Sequence, residues 1–314
     1  MVNIRKCAVI GCGFVGASCA FALVQSGQFS EIVLLDVNDK KAQGEAMDLN
    51  HCVSLSASVK VKAGNYSDIA DCSMIIITAG LNQKPDQTRL ELVKQNASII
   101  KSIVTQIKQY NTECILLVVS NPVDIMSYVA YKVSGFPANR VIGSGTVLDT
   151  ARLKVILGER FKIDSKSVHA FIIGEHGDSE LAVFSSANIS GIDLAGFCKS
   201  VTGEYNKKEL DGIYKDVVNS AYEIIEKKGA TYYGIAVAIT KIAQSIVKNE
   251  HSVLPVSVLV DGHYGLSDMY LGIPAIVGSM GVERVLDIPL DEDESRRLLA
   301  SAETVKEALG QLDI

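Results

Sequence analysis

The chain has 314 residues, a formal net charge of −6 at neutral pH, 48% hydrophobic and 21% charged residues, and no tryptophan. That length predicts two packed domains rather than one core, and the acidic balance excludes a general affinity for nucleic acid or for anionic membrane surfaces, which call for a basic excess. Seven cysteines, an odd number with no CxxC pair, read as reduced core thiols of a cytoplasmic protein, and neither they nor the five histidines are spaced as a metal site.

Arg5 and Lys6 ahead of a mostly apolar stretch to Val24 imitate a secretion signal, but Gly11, Gly13 and Gly16 interrupt it and no polar cleavage region follows. No other segment has an uninterrupted apolar span of membrane length. Cys7 to Ile10 read instead as a buried strand, GCGFVG as a glycine turn, residues 17–25 as a helix and Ile32 to Leu35 as a second strand ending in Asp36. In that setting each glycine has a physical task. Gly11 makes the turn, Gly13 lets the backbone approach a pyrophosphate, and Gly16 lets helix and strand pack closely; Phe14 and Val15 of the motif lie at the cofactor, and the helix N-terminus then faces the phosphates. Asp36 is placed to accept hydrogen bonds from an adenine-ribose diol and to repel a 2′-phosphate, which predicts NAD rather than NADP. The competing reading is a parallel-sheet turn without a ligand.

The alternation continues with a helix over 40–52, strands over 59–63 and 74–80, a helix over 89–110, and strands over 115–122 and 140–145. Strands rich in Ile and Val without polar alternation predict an α/β fold, a doubly wound parallel sheet with helices on both faces. Ligands on such sheets lie beyond the carboxyl ends of the strands, which puts Thr78, Ala79, Gly80, Ser120 and Asn121 beside the cofactor. The polar segment Gly80 to Arg89 carries Gln83 and Arg89 and reads either as a mobile lid or as a solvated connection.

Between Thr146 and Arg160 a helical wheel gives an apolar arc of Leu148, Ala151, Leu153, Val155 and Ile156, with Thr150 and Lys154 on the polar side. Asp149 and Arg152 fall inside the arc. Buried charges cost several kcal/mol, so the two either pair with each other or point together into a cavity. Next, AFIIGEHGDS at 170–179 reads as a short strand leading into a tight turn, with Gly174 and Gly177 flanking His176. An imidazole held there is either a proton donor and acceptor or a turn histidine bonded to a neighbouring carbonyl. Strand fragments near 181–185, helices near 194–200, 208–227 and 233–248, strands over 253–260 and 269–277, and a closing helix over 292–309 complete the chain.

GCGFVG, SNPVD at 120–124, the Asp149 and Arg152 helix and GEHGDS occur together in an order and spacing that closely resemble the lactate and malate dehydrogenase family, over essentially the whole length. The resemblance implies an NAD-binding Rossmann domain over residues 1–145 and an α+β catalytic domain over 146–314. It implies that His176 exchanges a proton with the substrate carbonyl oxygen, that Asp149 orients and charges the imidazole, that Arg152 clamps the substrate carboxylate and that Arg89 polarises the carbonyl. Asn121 would assist at the carbonyl and the nicotinamide, with Thr231 and Ile235 lining the other side. Malate enzymes of the family carry arginine at the position of Gln83, and a neutral glutamine points to the pyruvate and L-lactate branch, with malate or another 2-hydroxy acid as the rival substrate. A non-enzymatic NAD sensor would need an output surface such as a basic recognition helix, which is not evident. The few residues before the first strand, without the extended arm of vertebrate members, predict a bacterial type. Bacterial relatives often bind fructose 1,6-bisphosphate through a histidine and an arginine; His169 and Lys154 stand at those positions here. The family is also homotetrameric.

Overall fold

The computed structural model describes residues 2–81 and 88–312. Six parallel strands form its spine: β1 (Asn3–Ile10), β2 (Glu31–Leu35), β3 (Lys60–Ala63), β4 (Cys72–Ile77), β5 (Ile115–Val118) and β6 (Val141–Gly143). They lie in the order β6-β5-β4-β1-β2-β3. Burial is nearly continuous along β4 and β5, as the Ile and Val runs require of strands covered on both faces. The helices between them are α1 (Phe14–Ser26), α2 (Asp39–Cys52), α3 (Arg89–Tyr110) and α4 (Val123–Ser134). Helix α1 starts three residues earlier than expected, directly after Gly13, and α4 occupies a stretch to which the sequence pattern assigned no element.

The register fixes where ligands can sit. Ile10 pairs with Leu35 on one side and Ile77 on the other, Ile77 with Val118, and Val118 with Gly143. The carboxyl ends of five strands therefore form one row, and the chain direction of winding reverses between β1 and β4, where such sheets open a crevice.

The second half contributes α5 (Val147–Phe161), β7 (Val168–Ile173), β8 (Leu181–Ile189), β9 (Ile192–Asp193), α6 (Leu194–Thr202), α7 (Lys207–Lys228) and α8 (Tyr233–Val247). It closes with β10 (Ser252–Val260), β11 (Met269–Gly278), β12 (Gly281–Val285) and α9 (Glu292–Leu309). Strands β7, β8 and β9 make a small antiparallel sheet over their own core, in which Leu153, Leu157, Ile172, Leu194, Leu210 and Val217 are buried. Strands β10, β11 and β12 instead extend the first sheet antiparallel from β6, giving nine strands in all. The main sheet thus runs through residue 145 without interruption.

On α5 three residues lie opposite to the side the wheel gives them. Ala151 and Val155 are exposed, whereas Thr150 is buried because its hydroxyl accepts the Ile172 N–H at 2.8 Å. The buried face is Val147, Thr150, Leu153 and Leu157, a stripe that includes a polar residue with its hydrogen bond satisfied. The seven cysteines are free thiols, six of them buried and Cys52 half-buried. Among the described residues no helix is long and apolar enough to cross a membrane.

Candidate active site

At the end of β7 the chain turns sharply at Gly174, whose φ of +96° suits glycine and where a Cβ would come within 2.7 Å of Ser301 Oγ. Reciprocal backbone hydrogen bonds of 2.9 Å between Gly174 and Gly272 tie this turn to β11. Two residues on, the imidazole of His176 lies with Nδ1 2.7 Å from Asp149 Oδ2. The other oxygen of Asp149 accepts from Arg152 Nη1 at 2.6 Å. Asp149 and Arg152 are therefore the internal ion pair that was one of the two alternatives, and Asp149 also holds His176.

A carboxylate bonded to Nδ1 fixes that nitrogen as the donor and leaves Nε2 free for proton exchange. Burial opposes the charged imidazole, but Asp149, by charge and hydrogen bond, and then Glu180 and Asp124 outweigh it and raise His176 to about 9. Burial likewise raises Asp149, yet His176 and Arg152 hold it below the usual carboxylate range. His176 is accordingly an imidazolium at neutral pH, a competent acid toward an oxygen that gains charge.

His176 and Arg152 line a cavity of about 240 Å³ together with Asn121, Leu148, Thr231 and Ile235, and its far wall is built by Val15, Thr78, Gly80 and Ser120. One pocket therefore joins the acid-base pair to the carboxyl ends of β1, β4 and β5. Arg89 is placed elsewhere. It is the first residue of α3, its side chain is 60% exposed, and its guanidinium is bonded at 3.0 Å to Glu175, facing a neighbouring cavity between α3 and α9. Gln83 lies outside the described residues. His169 is exposed on β7, and Lys154 is half-buried on α5, where burial lowers its ammonium pKa; no hydrogen bond or ion pair joins the two side chains.

The row of strand ends fits a dinucleotide. At Gly11, with φ +99°, a Cβ would lie 2.7 Å from the Ala79 backbone, and at Gly16 it would lie 1.8 Å from the Gly11 carbonyl oxygen. Those two glycines are required by the protein's own packing. Gly13 differs: a Cβ there would meet nothing within 4 Å, so its smallness is toward open space in front of the helix. Helix α1 has neither a side-chain cap nor an acid in its first turn, leaving the N–H groups of its opening residues, Phe14 and Val15 among them, for an anion. Thr78 braces the turn by donating to the Gly11 carbonyl at 2.7 Å, and Ser120 donates to the Ala79 carbonyl at 2.6 Å. Asp36 accepts from the Cys12 N–H at 2.6 Å and the Asn38 N–H at 2.9 Å, which aims its carboxylate across the end of β2.

Four polar residues of the site were not singled out beforehand. Asn96 bridges the two cofactor-side loops by bonding Leu81 N–H at 2.8 Å and the Asn121 carbonyl at 2.9 Å. Glu175 accepts from Arg89 and from Ser179. Glu180 is buried, and burial and then the charge of Asp149 push its carboxyl up, to about 9. Asp124 accepts the backbone N–H of His176. Their common signal is an acid or amide next to a motif or inside an apolar run, which alone does not tell support from chemistry. Ligand-type atoms of Asp149, His176 and Glu180 lie within 4.8 Å of one another; Nδ1 and the guanidinium of Arg152 already occupy the Asp149 carboxylate.

Comparisons with known proteins agree on one kinship. The family model of the lactate/malate dehydrogenase NAD-binding domain matches residues 5–143, and that of the lactate/malate dehydrogenase α/β C-terminal domain matches residues 146–312. The L-lactate dehydrogenase of Acetivibrio thermocellus is 51% identical over 311 residues, 99% of this chain and 98% of that one. L-lactate dehydrogenase 1 of Clostridium acetobutylicum is 51% identical, with 98% of each covered. Among solved structures, a lactate dehydrogenase from a Medee basin deep-sea metagenome library superposes with a TM-score of 0.96 at 46% identity, and the minor L-lactate dehydrogenase of Enterococcus mundtii with 0.96 at 40%, each over 99% of both chains.

Proposed function

Because this chain belongs to the lactate/malate dehydrogenase family, we propose that it is an NAD-dependent L-lactate dehydrogenase, catalysing the reversible reduction of pyruvate. The observation that carries this reading is that His176 and Arg152, both bonded to Asp149, line a cavity that extends to Val15 in the glycine motif. Gly11, Gly13, Gly16 and Asp36 would hold NAD(H), which when bound would supply or take the hydride. Arg152 binds the substrate carboxylate through its planar guanidinium, a geometry lysine lacks. His176 gives its Nε2 proton to the carbonyl oxygen of pyruvate as that oxygen becomes an alkoxide, and takes it back from lactate. Asp149 keeps the imidazole in the correct tautomer throughout. Asn121, Thr231 and Ile235 shape the walls, and apolar Ile235 and Leu148 exclude water.

Arg89 polarises the carbonyl only after leaving Glu175, so its contribution requires a rearrangement on substrate binding. Gln83, neutral, leaves a second substrate carboxylate without a counter-charge, which favours pyruvate over oxaloacetate by about a hundredfold in kcat/KM. NADH oxidation with a panel of 2-oxo acids tests the assignment. Equal rates on pyruvate and oxaloacetate overturn it, and Gln83→Arg should move the preference toward oxaloacetate.

The functional unit of this reading is a cytoplasmic homotetramer, checked by sedimentation. Lys154 and His169 are its phosphate-binding pair for fructose 1,6-bisphosphate. Pyruvate saturation curves unchanged by millimolar effector would remove that site.

A further inference from the structure

Asp124 is the second residue of α4 and is 1% exposed, among neighbours on that helix that are almost all apolar. One carboxylate oxygen accepts the backbone N–H of His176 at 2.7 Å, and the other accepts the hydroxyl of Ser257 on β10 at 2.5 Å. Among the described residues no lysine or arginine is ion-paired with it. A buried carboxylate without a cation is costly, and burial, against the pull of Ser257 and the His176 N–H, pushes this one up to about 6. The surroundings leave it little freedom: a Cβ on Gly143 of β6 would lie 2.6 Å from the Ser257 side chain and 2.4 Å from Ser127 Oγ. Helix, strand and histidine turn are thus closed around a single acid.

We propose that Asp124 is a positioning residue for proton transfer, which anchors the backbone of His176 and supplies a further negative charge, besides that of Asp149, to its charged imidazole. The proposal rests on the dehydrogenase reading for its kinetic consequence but not for its electrostatic one. If the carboxylate only satisfied two hydrogen bonds, asparagine would serve equally, since its carbonyl can accept the His176 N–H while its amide donates to Ser257 Oγ. A charge requirement separates the two roles. The groups facing His176 are Asp149 and Arg152 from α5, Asp124 from α4, and Glu175 and Glu180 from its own turn. Asp124 in turn faces Ser257 from β10 and Glu175.

The test is Asp124→Asn, read by NMR titration of the His176 imidazole in the full-length protein and by the pH profile of pyruvate reduction. Loss of the Asp124 charge should weaken proton binding at His176 by about threefold or more, moving its titration and the alkaline limb of the profile down together by about half a pH unit. It should lower kcat more than it raises KM for pyruvate. A folded variant with unmoved titration and an unmoved alkaline limb would overturn the proposal. If the wild-type chain itself fails to turn over pyruvate, the dehydrogenase reading fails while the NMR titration still decides the role of Asp124. Should the asparagine variant not fold, Ser257→Ala decides. It removes a hydrogen bond from the ionised acid, so protonation of Asp124 should extend to higher pH and turnover should fall relative to wild type near pH 6.5 but not at pH 8. A superimposable profile would count against the proposal.

Discussion

His176 Nδ1 and Asp149 Oδ2 meet at 2.7 Å across 27 residues of sequence, at the one place where a carboxylate that is itself paired with a guanidinium can both orient and charge an imidazole. Asp149→Asn keeps the shape but removes the charge and offers an amide donor to a nitrogen that is already a donor. Its kcat for pyruvate reduction should fall by about 10²- to 10⁴-fold, the range associated with general acid catalysis. NADH oxidation under saturating pyruvate measures it; a loss under threefold would show that the pair is structural.

The direction of the His176 shift sets opposite pH dependences for the two directions of reaction. Its proton is held up to about 9, above the ordinary histidine value of 6.5. Pyruvate reduction uses the protonated form, so its kcat/KM should be maintained at neutrality and decline as pH rises through about 9. Lactate oxidation uses the neutral form and should increase tenfold per pH unit up to the same region. Initial rates in both directions over one buffer series check the pair of limbs, and parallel profiles would contradict the assignment of His176.

Stability on the folded side follows the same proton. The raised pKa means that His176 and Asp149 contribute stability fully below 6.5, and that this contribution is lost as pH rises through about 9. The difference in Tm between wild type and His176→Gln should accordingly shrink between pH 6.5 and 9, as followed by calorimetry. A constant difference would mean that the ion pair does not contribute.

The glycines of the cofactor turn should separate binding from folding. Gly13→Ala puts a methyl into open space, so Tm should change little while NADH affinity, measured by fluorescence titration, drops at least tenfold. Gly16→Ala drives a Cβ to within 1.8 Å of the Gly11 carbonyl, which α1 cannot accommodate without moving, and should cost several kcal/mol of stability. Equal Tm losses for both would refute the division of roles.

Arg152→Lys keeps the charge but gives up two-pronged contact with a carboxylate. KM for pyruvate should rise by about ten- to a hundredfold, the effect of a lost charge-assisted hydrogen bond, with a smaller change in kcat. The cation beside Asp149 is kept, so no fall in the His176 pKa should accompany it. Steady-state kinetics with varied pyruvate distinguishes these effects.

Much of this fold was legible because its signals are local. Helices α3 and α9 begin where expected, each opened by a capping box, Thr88 with Glu91 and Asp291 with Glu294. The parallel strands announced themselves by runs too apolar to face water. Other features depended on partners far along the chain. Nothing in the text of β10 to β12 distinguishes strands that found a new sheet from strands that prolong the first. Thr150 looks solvent-facing until Ile172 is brought to it, and Ala151 and Val155 look buried until the opposite face of α5 is seen to carry the core. Asp149 and Arg152 were legible as charges out of place in an apolar arc, and His176 as an imidazole held on a turn between two glycines. The resting place of Arg89 on Glu175 was not, since which acid captures an exposed arginine is decided by the fold.

The pairing of Ser257 with Gly143 makes β10 the next strand beyond β6, and a Cβ at Gly145 would lie 2.4 Å from the Ser257 nitrogen. A fragment ending at residue 145 would therefore present a bare strand edge, with amides and carbonyls seeking any available chain. Severed halves should aggregate when expressed apart and regain solubility when produced together. The intact polypeptide should give one calorimetric peak rather than two, because neither half can melt without stripping the other's border.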